Sequence, residues 1–127
     1  MIKLTFCLVR LPHLSREAFQ AYWFDTHGPL VASVADELKI RRYVQLHSLP
    51  AEASAGLRAS RSAPDEYDGV AELWVDSLEV LAENGRRPEA RTAAALLLED
   101  ERRFIDLPKS PLWWGQERVV VGAAQQA

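Results

Sequence analysis

The sequence predicts an α+β fold in which four strands and two helical segments follow the order β-α-β-β-α-β. Three observations predict it. Short apolar-rich runs at 2–10, 40–48 and 67–75 alternate with period two. Two stretches between strands repeat apolar residues at helical spacing. Ser15 and Ser77 stand where helices need a hydroxyl to accept from an orphan first-turn amide.

In the first strand Ile2, Leu4, Phe6 and Leu8 point to one side and Lys3, Thr5, Cys7 and Val9 to the other. Both sets are largely apolar after Lys3, so both sheet faces are expected to be covered. Leu11-Pro12-His13-Leu14 ends the strand and Ser15 caps the first helix, with Glu17 near its positive end. Leu14 and Phe19 occupy hydrophobic-staple positions. Phe19, Tyr22, Trp23, Leu30, Val31, Val34, Ala35 and Leu38 keep helical spacing to about residue 38. Pro29 lacks an amide and clashes with the turn before it, so the helix must kink or restart at Gly28-Pro29.

The second strand puts Ile40, Arg42, Val44 and Leu46 on one side and Arg41, Tyr43, Gln45 and His47 on the other. Residues 49–66 read as a long polar connection, mobile or a lid. The third strand, 67–75, carries Val70, Glu72 and Trp74 opposite Ala71, Leu73 and Val75. Ser77 opens a short helix that should stop at Asn84-Gly85, with Gly85 left-handed. Pro88 suits the first turn of the next helix, which continues through Ala90, Ala93, Ala94, Leu97, Leu98 and Phe104. A last strand is expected at about 116–121 and a loose tail at 122–127. The order is the ferredoxin-like arrangement. Its four-stranded antiparallel sheet leaves one face open, and a second copy of the chain is the simplest cover.

Composition narrows the function. The 127 residues fit one domain, 1–127, burying roughly two-thirds of the unfolded surface. A formal charge of −3, with no clustered basic surface, argues against nucleic acid. The pairs Arg41-Arg42, Arg86-Arg87 and Arg102-Arg103 read as solvated element ends. Cys7 is the lone cysteine, which excludes an internal disulfide and a multi-cysteine zinc site. No apolar run approaches the ~18 residues of a membrane span. The N-terminus lacks signal-peptide features, so the cytoplasm is the expected compartment. There is no nucleophile elbow and no glycine-rich phosphate loop, and His13, His27 and His47 lack ligand spacing. No cofactor and no metal are expected.

His27 is the leading candidate for chemistry, because imidazole exchanges protons near neutral pH and the Pro29 break frees carbonyls around it. Trp23, four residues earlier, shares its helix face. The plainer role is a plug at the kink. Tyr43, Gln45 and His47 form a polar row about 13 Å long at ~3.3 Å per residue, either lining a pocket or solvated at an edge. Glu72, beside Trp74 on a central strand, needs a cation, a phenol or water as partner. Trp113-Trp114 reads as core or dimer contact.

The string Ser15-Arg16-Glu17-x-Phe19-x-x-Tyr22-Trp23-x-x-x-His27-Gly28-Pro29-Leu30-Val31 resembles the signature of EthD-like proteins. Tyr43, the run Tyr67-Asp68-Gly69-Val70-Ala71-Glu72-Leu73-Trp74, and Asp100-Glu101-x-x-Phe104-Ile105-Asp106 extend the resemblance over nearly the whole chain except 49–66. The resemblance implies a dimeric α+β barrel of ferredoxin-like protomers. Its wider superfamily includes methylmuconolactone isomerases, polyketide cyclases, cofactor-free monooxygenases and haem-degrading enzymes. By the same resemblance His27 would transfer protons and Tyr43 would hold substrate.

The expected activity is therefore acid–base catalysis, of lyase, isomerase or cyclase type, on a small lactone or aromatic polyketide-like carbonyl compound. Tyr43 or His47 would donate to the developing oxyanion. Glu72 would orient a ring or a water, and Phe6, Tyr22, Trp23 and Trp74 would contact the ligand. The alternatives are a non-catalytic small-molecule binder and a haem-binding or oxygen-using relative, with His27 or His47 as axial ligand.

Overall fold

The computed structural model describes residues 1–123. Four strands, β1 (Ile2–Leu8), β2 (Arg42–His47), β3 (Gly69–Val75) and β4 (Leu112–Gly115), form one sheet in the order β2-β3-β1-β4. All three pairings are antiparallel. Register places Leu4 opposite Leu73 and Trp114, Phe6 opposite Ala71 and Leu112, and Tyr43 opposite Leu73. Directly opposed residues point to the same side of a sheet. One face therefore carries Leu4, Phe6, Leu8, Ala71, Leu73, Tyr43, Gln45 and His47. The other carries Lys3, Thr5, Cys7, Val70, Glu72, Trp74 and Trp113.

The helices cover the first face. Between β1 and β2 the chain forms α1 (Arg16–Tyr22), a π turn (Trp23–His27), α2 (Gly28–Ser33) and α3 (Ala35–Leu38). Between β3 and β4 it forms α5 (Leu78–Asn84) and α6 (Pro88–Glu101). Ser15 caps α1 by accepting from the Ala18 amide, and Ser77 caps α5 by accepting from that of Val80. Leu14 packs against the cluster that holds Phe19, as the staple requires. That core joins Phe6, Leu8 and Ala71 of the sheet to Phe19, Trp23, Phe104 and Ile105.

Three expectations are corrected. The last strand is Leu112–Gly115, not 116–121. The aromatic pair Trp113-Trp114 takes the place beside β1, where bulky rings favour a pleated surface, while Val120 and Val121 stay almost wholly exposed. Residues 49–66 are not one open connection: they hold a 3-10 turn at Ala51–Ala53 and α4 (Ala55–Ser60). Arg16 and Arg58 both pair with Glu66, and Arg10 and Arg16 with Asp68, fastening both ends of this excursion to the body. Gly85 is right-handed, at φ −65°; the left-handed stop is Lys39, φ 56°, after α3. The restart expected at Gly28-Pro29 is present, since α2 begins at Gly28; the π turn at Trp23–His27 that precedes it was not foreseen. Of the tail expected at 122–127, residues 124–127 lie outside the described residues.

Gly69 sets how closely helix and sheet approach. A Cβ there would lie 2.5 Å and 2.9 Å from atoms of the Trp23 indole and 2.8 Å from the Leu46 carbonyl oxygen. Trp23 is 1% exposed and walled in, so it cannot swing clear. Gly69→Ala should lower stability by about 1–3 kcal/mol, the usual range for overpacking. A fall in the urea midpoint with an unchanged slope would register this; an unchanged midpoint would refute the close-packing argument.

Candidate functional site

The π turn carries His27 into the interior. A π turn closes i→i+5 hydrogen bonds and is frequent at functional sites. Here the Gly28 amide donates to the Trp23 carbonyl, which also accepts from Gln45 Nε2 at 2.9 Å. Pro29 follows as an early residue of α2, where its missing amide costs nothing. The extra residue in the turn places Trp23 and His27 together on the buried side.

His27 is 4% exposed, and its Nδ1 lies 2.7 Å from Asp100 Oδ2. Asp100 is equally buried and accepts also from the Tyr22 hydroxyl at 2.6 Å and from Arg103 at 3.0 Å. Burial works against its charge, but these bonds outweigh it and hold the carboxyl below the ordinary range. Burial pushes the His27 imidazole down, only partly offset by Asp100. An ionised Asp100 beside a neutral imidazole fixes the tautomer: Nδ1 carries the proton and donates it, leaving a lone pair on Nε2. Nε2 makes no hydrogen bond among the described residues, and the ring borders a cavity.

That cavity measures about 60 Å³. It is far smaller than a porphyrin, so the haem alternative gains no support from it. Apolar side chains, among them Phe6, Leu8, Trp23, Val31, Ala71 and Ile105, make most of its wall. Its titratable groups are His27, Tyr43 and Glu101. Tyr43 also borders an open groove of about 530 Å³ with Phe24, Gly28, Gln45 and His47. A further cleft of about 260 Å³ shares Leu4, Leu73, Leu97 and Glu101 with the His27 cavity.

The polar row of β2 faces the helices, and its hydrogen bonds dictate its protons. A carbonyl only accepts, so the Gln45 amide must present its nitrogen to Trp23. The same nitrogen donates to the Tyr43 oxygen at 3.1 Å, while Gln45 Oε1 lies 2.7 Å from His47 Nε2, which must carry a proton. Tyr43 therefore accepts from Gln45 and keeps its own proton free to donate. Burial raises the phenol above its ordinary value, so it stays protonated.

The structure brings His27, Tyr43, Phe6 and Trp23 to one cavity. Tyr22 acts on Asp100 rather than as a wall. His47 stacks on Trp23 with ring centres 4.6 Å apart and opens on the outer groove. Glu72 and Trp74 are corrections: both lie on the opposite sheet face. There Lys3 pairs with Glu72 at 2.8 Å, and Trp74 donates to Glu117 at 2.6 Å. The alternation placing Glu72 and Trp74 together was legible, but which face met the helices was not.

Asp100, Glu101 and Arg103 are candidate site residues that the sequence did not single out. A signal existed. Ala90, Ala93, Leu97 and Asp100 are the buried residues of α6 and keep helical spacing, so an acid continues the apolar stripe. Glu101 is pushed up to about 7, first by burial and then by Asp100.

Because the folded pKa of Glu101 lies above the unfolded one, the folded chain binds more protons between pH 4.5 and about 7 and loses stability as pH rises through that window. At 1.36 kcal/mol per pKa unit the loss approaches about 3 kcal/mol. Glu101→Gln should match the wild type at pH 4 and exceed it in stability at pH 8, which paired denaturant titrations would measure; equal stability at pH 8 would contradict the uncompensated burial.

The EthD domain model matches residues 11–108. No curated protein matches the chain. Among solved structures, the chain resembles an ethyl tert-butyl ether D (EthD) family protein from Bacillus halodurans, with 19% identity, TM-score 0.60, and coverage of 93% of this chain and 100% of that one. It also resembles an EthD-like protein from Ralstonia eutropha, with 22% identity, TM-score 0.57, and coverage of 97% and 95%. A third is a dimeric protein of unknown function and ferredoxin-like fold from Bacteroides fragilis, with 8% identity, TM-score 0.57, and coverage of 91% and 95%. At these identities the structures attest the fold, and the family model matches most of the length: the chain belongs to the EthD domain family.

Proposed function

We propose that the protein catalyses proton transfer on a small carbonyl compound, of lactone or aromatic polyketide type, as an isomerase, lyase or cyclase. One observation carries the reading: a buried imidazole, held by a carboxylate at Nδ1 and unpaired at Nε2, borders an apolar void. Nε2 would remove a proton from carbon beside the carbonyl. Asp100 would stabilise the imidazolium that forms, and Tyr43 would donate to the oxygen that gains charge. Tyr22 and Arg103 act as positioning residues by holding Asp100. A protein that only sequesters its ligand has no use for this arrangement, and a histidine tied to backbone alone would have favoured that role.

The protein is also proposed to work as a homodimer. The sheet face turned from the helices presents Cys7, Val44, Val70 and Trp113 beside the Lys3–Glu72 pair. The Bacteroides fragilis neighbour of similar fold is described as dimeric. No helix among the described residues is long and apolar enough to cross a membrane.

The test is deuterium exchange in D₂O, followed by NMR, on a panel of small lactones and ketones. The wild type should exchange the proton beside the carbonyl, and His27→Ala, still folded by circular dichroism, should lose at least about 100-fold, the lower bound for general acid–base catalysis. With the imidazole depressed, the acid limb of the rate profile should fall below pH 6.5. Equal exchange by His27→Ala would end the catalytic reading. Size-exclusion chromatography with light scattering tests the pairing, which a monomer at micromolar concentration would refute.

A further inference from the structure

Glu101 takes no part in the scheme above, yet its surroundings set it apart. It closes α6 on the wall shared by the His27 cavity and the 260 Å³ cleft. Among the described residues its carboxyl makes no hydrogen bond and no ion pair, whereas Asp100, one residue earlier, has three partners. The groups that face it are few. Its own helix brings Asp100, and Arg102 follows directly. The π turn brings His27 and β2 brings Tyr43. From β1, β3 and β4 the cavity and cleft take only apolar and aromatic side chains, among them Leu4, Phe6, Leu73, Val75 and Trp114. The nearest polar side chain of α5, Asn84, is committed to the Leu38 carbonyl and to Arg87. A carboxyl so placed exchanges its proton near neutral pH.

Resting on the acid–base reading above, we propose that Glu101 is the second proton-transfer group of the site, delivering a proton to a carbon remote from the one that His27 deprotonates. The substrate class this defines is a β,γ-unsaturated ketone or lactone whose apolar remainder lies in the cleft. His27 Nε2 takes the α-proton, and the C–H electron pair spreads through the dienolate to an oxygen that Tyr43 hydrogen-bonds. The electrons return, the γ-carbon takes the proton of the Glu101 carboxyl, and the double bond moves into conjugation. The imidazolium then passes its proton through cavity water to the Glu101 carboxylate. Both groups are restored, and the product is an isomer of the substrate with no co-reactant consumed.

The probes are 3-cyclohexen-1-one and α-angelica lactone, incubated in D₂O with wild type, Glu101→Gln, Glu101→Asp and His27→Ala. Glu101→Gln should lose γ-deuteration and isomerisation at least about 100-fold, and lose the rate limb near pH 7. Glu101→Asp should restore part of both. Independently of turnover, the Glu101 carboxyl should titrate near pH 7 by ¹³C NMR. Unchanged isomerisation and pH profile in Glu101→Gln, or a titration midpoint below 5, overturns the proposal while α-exchange dependent on His27 leaves the broader reading standing. Absence of α-exchange in the wild type overturns both.

Discussion

A single buried carboxylate organises the interior. Asp100 collects hydrogen bonds from the π turn, from α1 and from the turn after α6, so the first helical segment and the end of α6, more than 70 residues apart, meet at two oxygen atoms. A carboxylate stripped of water is costly unless donors replace the lost solvent, and the chain supplies a phenol, an imidazole and a guanidinium. In return the ion fixes which nitrogen of His27 carries hydrogen. The packing of α6 against the first helical segment and the protonation state of the candidate base therefore depend on the same contact.

The backbone defect at Trp23–His27 follows from the same constraint. A regular helix would present the Trp23 carbonyl to its own turn; the π turn leaves room for Gln45 to reach it from the sheet. Gly69 allows the indole to lie directly on β3, and the indole in turn carries His47. Helix, sheet and polar row are thus locked by one aromatic ring at the closest approach between layers. This leaves a small void farther in, lined mostly by side chains that no substitution could shrink or enlarge without disturbing the core.

Much of this was legible in the residues. Ser15 and Ser77 marked two helix starts because a hydroxyl at that position answers a definite need of the backbone. The period-two runs gave three strands within two or three residues of their ends. His27 stood out because proline so close behind it forces an irregularity. What failed were properties that only long-range contact decides. The valines at 119–121 have the composition of a strand, but the free edge of β1 goes to Trp113 and Trp114. Glu72 and His27 each read as functional, and pleat direction put them on opposite sides of the sheet. Lys39 adopts a conformation its side chain disfavours, so no local signal announces where α3 ends. Asp100 was visible as an acid in an apolar stripe, but its significance depended on partners 73 and 78 residues away.

The fixed amide of Gln45 has a bearing on discrimination. With its nitrogen committed to the Trp23 carbonyl and the Tyr43 oxygen, the amide occupies acceptor capacity of the phenol and leaves its hydrogen free for the cavity. A free phenol hydrogen favours a partner that presents a bare oxygen at that point. A neutral side chain thus biases the polarity that Tyr43 shows to the cavity, independently of its size.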